Sequence, residues 1–290
     1  DVLAAGIDFL HFDVFDGHFV QDLGFPPRVL RDLRGLTKAP FEVHLAANEP
    51  MRFLAALKEA GADLVFLPVE SCPLLYEAIF AAQEGAATME EIDAAVTAKG
   101  MPMGPFVLAD MLGVDVCYHV QHTLHEEYGV RMAPALLVDK LYDAKRWGKK
   151  TGAGFYVHAE GDEGFTAKAI ADVQAETGIK GTSFSFERLI LPMINEAAYA
   201  LQERIASPND IDIAMMAGAG MADLTGPKGP LQLADEMGLD VVVEKLEALQ
   251  KELGERFRPA PLLKRKVRAG HLGVKTRKGF KEHAGEPQTV

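Results

Sequence analysis

The chain has 290 residues, 48% hydrophobic and 25% charged, which is the balance of an ordinary globular protein with room for about two domains. A net charge of −12 argues against nucleic acid or an anionic membrane surface as a partner. Two cysteines, Cys72 and Cys117, point to a reducing, cytoplasmic setting without a disulfide framework, and no apolar run has the length of a membrane span or the form of a signal peptide.

The chain opens at Asp1, without an initiator Met and already inside a helical pattern (Val2 to Ala5), so it reads as a fragment. Ile7 to Asp16 then alternates in the manner of a strand, with His11 and Asp13 on one face and Leu10, Phe12 and Val14 on the other. Next come a helix at about Pro27–Arg34, a strand Phe41–Leu45, a helix Met51–Ala60 and a strand Asp63–Val69. This alternation is the signature of parallel α/β structure. His11 and Asp13 share a face, and the neighbouring strand offers His44. Two imidazoles and a carboxylate suit a divalent metal (Zn, Fe or Mn) with open positions; equally, polar residues inside a parallel barrel hydrogen-bond one another.

The run His11 to Val20 (HFDVFDGHFV), Phe41 to Leu45 (FEVHL) and Ala60-Gly61-Ala62-Asp63 resemble ribulose-phosphate 3-epimerase, over roughly residues 1 to 85. The resemblance implies part of a (β/α)₈ TIM barrel and a metal-dependent isomerase. His11, Asp13 and His44 would be metal ligands, and Asp13 also a catalytic acid/base. This chain departs from that pattern in three ways. The methionine caps of the family fall on Phe15 and Ala46. The second catalytic aspartate, also the fourth ligand, belongs to a later strand that is not represented. The phosphate-binding glycine loops are missing as well. With strands two to four of eight, the barrel cannot close and leaves strand edges.

Leu74 to Gly85 has apolar residues at 74, 75, 78, 79 and 82 and reads as a helix. It fits the helix after a fourth barrel strand and equally the opening helix of a repeated unit that fills the rest of the chain. The chain therefore reads as a chimera that crosses over between Val69 and Gly85.

Beyond the seam that unit occurs twice. Gly104 to Val116 returns as Gly229 to Val241, an offset of 125 residues, with eight of thirteen positions identical. Gly148-x-Lys150-Thr151-x-x-Gly154-Phe155 recurs at the same offset. Glu77-Ala78 and Ile92-Asp93 recur as Glu196-Ala197 and Ile211-Asp212 at an offset of 119. Thr88 with Glu91, and Ser207 with Asp210, predict N-caps in the two copies. Pro105 opens a helix carrying Phe106, Leu108, Ala109, Met111 and Leu112, nearly all expected in the core.

Glu77-Ala78, Ile92-Asp93, Pro102-Met103-Gly104-Pro105, Leu108-Ala109-Asp110 and Gly148 to Tyr156 resemble the C-terminal domain of 3-hydroxyacyl-CoA dehydrogenase. The second copy, with Leu191 to Ala197, resembles the second such domain of multifunctional fatty-acid oxidation proteins. The resemblance covers about residues 72 to 283. It implies two all-α domains of the 6-phosphogluconate-dehydrogenase C-terminal type, at 72–158 and 183–283, joined by a linker at 159–182 and preceded by the β/α segment 1–71. It implies an acyl-CoA substrate and a homo-oligomer or dimer-like packing. NAD would enter through a domain that this sequence lacks, since no strand is followed by G-x-G-x-x-G. The asparagine that such domains contribute falls on Pro68 in the first copy and Glu187 in the second.

Three smaller signals remain. His119, His122 and His125 with Glu126 drift around a helix and read as polar surface. Lys149-Lys150 and Arg265-Lys266-Val267-Arg268 are candidates for a CoA phosphate or for plain helix-end charge. Ala159 to Gly181 reads as a polar connector with a short helix, Thr166–Glu176, and the tail from Ala284 as disordered.

Overall fold

In the computed structural model the alternating run Leu10–Phe15 (β1) pairs in parallel with Phe41–Ala46 (β2), and β2 pairs in parallel with Leu64–Phe66 (β3), in the order β1-β2-β3. The structure describes residues 10–15, 24–46, 56–62, 64–66, 72–101, 103–159, 162–218, 221–223 and 226–284. The chain divides into two units, Asp1–Pro68 and Val69–Val290.

In the first unit the period of two decides the packing. Phe12, Val14, Phe41 and Val43 share one face and are buried with Leu30, Leu57 and Ala60. Leu30 belongs to helix α1 (Pro27–Arg34), which starts on a proline with its φ already set for a helix. Arg34 lies over the Phe41 ring, 3.8 Å from its centroid, and donates to the carbonyls of Ala39 (2.6 Å) and Gly61 (3.2 Å). Residues 56–59 are helical within the expected Met51–Ala60, whose first half lies outside the described residues. This unit is parallel α/β.

The second unit is helical, and its two repeats run in step. The first holds α2 (Cys72–Gln83), α3 (Met89–Thr97), α4 (Pro105–Leu112), α5 (Val114–Tyr128) and α6 (Leu136–Asp143). After α7 (Phe165–Thr177), the second holds α8 (Phe186–Gln202), α9 (Pro208–Gly218), α10 (Pro230–Met237), α11 (Leu239–Leu253) and α12 (Pro261–Arg268). A small hairpin, Ala222–Asp223 (β4) with Gly226–Pro227 (β5), fills the extra length between α9 and α10. The predicted capping box is present: the Thr88 hydroxyl accepts from Glu91 N at 3.2 Å, and the Glu91 carboxylate accepts from Thr88 N at 2.8 Å. Gly113 and Gly238 turn α4 into α5 and α10 into α11 at φ +106° and +90°, where a side chain would be strained.

One apolar core runs through both repeats, from Ala78 and Ile79 on α2 through Leu189, Ile194 and Ala197 on α8 to Leu246 and Leu263. One expectation is corrected here. On α4, Phe106 and Ala109 are buried, but Leu108, Met111 and Leu112 are 38%, 52% and 53% exposed. The short helix expected within the connector is present as α7; its Thr166, Ala169 and Val173 are buried, and α7 packs against α2 and α6. No helix among the described residues is long and apolar enough to cross a membrane.

Candidate functional site

The densest chemistry of the helical unit lies where the repeats meet. Arg188, 1% exposed on α8, donates from Nε to Glu77 and from Nη2 to Glu84, both at 2.6 Å. Glu84, in the turn that closes α2 with its N–H still bonded to Phe80 O at 2.9 Å, follows Glu77 of α2 by seven residues, two helical turns, so the two face the same way. Arg256, in the turn after α11, reaches the same pair, Nε to Glu77 at 2.7 Å and Nη2 to Glu84 at 3.0 Å. Burial pushes the Glu77 carboxyl up and the two guanidiniums, Arg256 foremost, pull it back. Two arginines of the second repeat thus face two glutamates of the first.

The other half of the interface returns the contact. Arg131 is the repeat counterpart of Arg256, and Glu196 and Glu203 are the counterparts of Glu77 and Glu84. Arg131 Nε lies 3.3 Å from Glu196, and Nη1 lies 3.5 Å from Glu203. Arg256 covers the Phe80 ring at 4.4 Å, and Arg131 covers its counterpart Tyr199 at 4.2 Å. Reciprocal contacts of this kind define an isologous interface. A cavity of about 30 Å³, lined in part by Tyr76, Gln121, Arg131, Glu196 and Arg256, lies between the halves. It has room for about one or two waters. Sequence reasoning matched Glu77 to Glu196 as a repeat signal only. The paired offsets of Arg131 and Arg256 were the available clue.

The shared glycine turn has a structural explanation. Asp110, buried on α4, accepts from Phe155 N at 2.8 Å and Tyr156 N at 2.9 Å, and His158 Nε2 lies 2.7 Å away. Asp235 repeats this with Phe280 N (2.8 Å), Lys281 N (2.9 Å) and His283 Nε2 (2.8 Å). A Cβ on Gly154 or Gly279 would run into the Asp110 or Asp235 carboxylate. The lysines of the motif are engaged too, Lys150 with Asp115 at 2.6 Å and Lys275 with Asp240. Lys266 of the second basic run donates to Gly279 O at 2.7 Å.

The register of β1 and β2 sets Asp13 opposite His44 and His11 opposite Glu42, so the positions of His11, Asp13 and His44 share the sheet face opposite Phe12 and Val43. Asp13 is exposed. The side chains of His11, His44, Phe15 and Ala46, and the whole of Pro68, lie outside the described residues. Glu187, at the second asparagine position, is held below the usual carboxylate range by its hydrogen bond from Lys245 at 3.0 Å. His122 Nε2 sits 3.0 Å from Asp139 and His125 Nδ1 lies 3.0 Å from Gly129 O, while His119 is exposed beside Tyr118 and Tyr142.

Comparison with known proteins assigns one family to the helical unit and another to the first unit and the start of the second. The model of the 3-hydroxyacyl-CoA dehydrogenase C-terminal domain matches residues 71–158 and 184–283, and that of the ribulose-phosphate 3-epimerase family matches residues 1–95. The fatty acid oxidation complex subunit alpha of Idiomarina loihiensis is 38% identical over 187 residues, 63% of this chain and 26% of that protein. The same subunit of Shewanella sp. strain ANA-3 is 37% identical over 185 residues, 61% of this chain and 26% of that protein. The chain thus spans about a quarter of the length of these relatives. In fold it is similar to the Escherichia coli 3-hydroxybutyryl-CoA dehydrogenase structure, with a TM-score of 0.59 at 20% identity, covering 93% of this chain and 83% of that one. The two family matches overlap at 71–95, where α2 and most of α3 are packed into the helical unit.

Proposed function

The chain belongs to the 3-hydroxyacyl-CoA dehydrogenase C-terminal domain family, and on that premise we propose that its helical unit is the substrate-side wall and dimer-like core of an NAD-dependent 3-hydroxyacyl-CoA dehydrogenase of fatty-acid β-oxidation. In that reaction a 3-hydroxyacyl-CoA is oxidised to the 3-ketoacyl-CoA as NAD takes a hydride. The residues here do not fit NAD: no strand of the sequence leads into a G-x-G-x-x-G turn, and the glycine turns are filled by the Asp110 and Asp235 carboxylates. The hydride step therefore belongs to an NAD-binding domain outside these 290 residues.

The observation that carries this reading is the apolar face of α4. Leu108, Met111 and Leu112 are exposed in the first repeat, whereas in the second their counterparts Leu233 and Met237 are half-buried against the core and Glu236, the counterpart of Met111, pairs with Lys228 at 2.6 Å. An apolar face on one of two matched copies suits a partner that only that copy meets. The second repeat is engaged with the first instead. Incubation of the purified chain with NAD and 3-hydroxybutyryl-CoA should give no NADH; NADH formation would overturn the reading.

The register of Asp13 against His44 favours a second reading for the first unit, a metal-dependent pentulose-phosphate epimerase segment of barrel type. His11, Asp13 and His44 would hold a divalent cation, which supplies charge stabilisation in such proton transfers. Metal analysis of the chain beside His44→Ala decides it: metal absent, or unchanged by the substitution, eliminates this reading. The overlap of the two family matches at 71–95 supports a chimeric origin. A single-clone read across residues 69–85 tests that, and an uninterrupted native gene would sink it.

A further inference from the structure

We propose that the contact between the two repeats is proton-sensitive and that Glu196 is the residue that senses the proton. The two halves of the interface are counterparts in sequence but not in charge. Around Glu77 and Glu84 there are two guanidiniums, those of Arg188 and Arg256, at 2.6 to 3.0 Å. Around Glu196 and Glu203 there is Arg131, at 3.3 and 3.5 Å. The counterpart of Arg188 in the first repeat is position 69, a valine. The first half is neutral with all four groups ionised; the second carries one uncompensated negative charge unless a carboxyl takes a proton.

Geometry decides which carboxyl does so. Glu203 is 41% exposed and keeps its hydration, whereas the Glu196 side chain is 11% exposed. Its surroundings offer little compensation. Arg131 Nε is buried beside it without hydrogen-bond alignment, and its guanidinium is shared with Glu203 and with the rings of Tyr128 and Tyr199. Across the cavity from α2 and the turn after α11 stand Glu77 and Arg256, which are already paired with each other, and Gln121 of α5 is neutral. Burial, against the pull of Arg131 and with the push of Glu203, raises the Glu196 carboxyl to about 7.

The sign comes from proton linkage. A carboxyl raised in the folded state binds a proton that the unfolded chain has released, so its contribution is full below about pH 4.5 and is lost as pH rises through about 7. The test is thermal unfolding of the full chain from pH 4.5 to 8.5, with Glu196→Gln and Glu203→Gln alongside. Relative to Glu196→Gln, the unsubstituted chain should lose stability across this window, by about a hundredfold in its folding equilibrium constant. Glu203→Gln removes the like charge, and its falling limb should move to lower pH. Parallel curves for the chain and Glu196→Gln would overturn the proposal, and so would an unmoved limb in Glu203→Gln.

Discussion

Arg256 of the second repeat places Nε 2.7 Å from Glu77 of the first, and its counterpart Arg131 returns the contact to Glu196 at 3.3 Å. The two repeats therefore hold each other by the same residues used in both directions, with one side tight and the other loose. The tight side has the extra guanidinium of Arg188, which also donates to Thr182 at 2.9 Å and so ties in the connector.

Arg188→Met should destabilise the helical unit by about 3 kcal/mol or more, because it leaves two buried carboxylates facing one guanidinium. Urea unfolding followed by circular dichroism measures this. A loss of less than about 1 kcal/mol would mean that the cluster is hydrated rather than buried.

Asp235→Ala removes the acceptor of two backbone N–H groups in the glycine turn, and Asp110→Ala does the same in the first repeat. Each stranded donor costs about 1–3 kcal/mol. Amide exchange of Phe280 and Lys281, or of Phe155 and Tyr156, should accelerate in the matching variant and stay unchanged in the other.

Thr88→Ala takes away a capping box on an exposed helix end, and the expected loss is about 1 kcal/mol. The measurement is the shift of the urea midpoint at unchanged slope. A midpoint that does not move would show that water serves the freed N–H groups equally well.

Met111→Glu copies into the first repeat the residue found at the matching place in the second. Met111 is 52% exposed, so stability should change by no more than about 0.5 kcal/mol. A large loss would show that the α4 face is covered within the chain.

How much of this was legible beforehand depends on the range of the signal. The Pro27–Arg34 helix, the Thr88–Glu91 cap and the strands at His11–Asp13 and at His44 are set by a few neighbouring residues, and the structure has them where the sequence points. The repeat offsets made the helical unit legible as two copies. The exposure of Leu108, Met111 and Leu112 was not, because an all-round apolar helix does not state which face its neighbours cover. Nor was the packing of Thr166, Ala169 and Val173, which a polar-looking connector hides among charged residues. Arg188 meets Glu77 across 111 residues, and no local pattern records such a pairing.

The central proposal is that the helical unit forms the substrate-side wall against which an NAD-binding domain packs. Calorimetric titration of this chain with an independently produced NAD-binding domain of a 3-hydroxyacyl-CoA dehydrogenase tests it most directly. The account predicts a saturable one-to-one complex that Met111→Glu abolishes while leaving the urea midpoint in place. Absence of any complex, or equal affinity for the Met111→Glu chain, would contradict it.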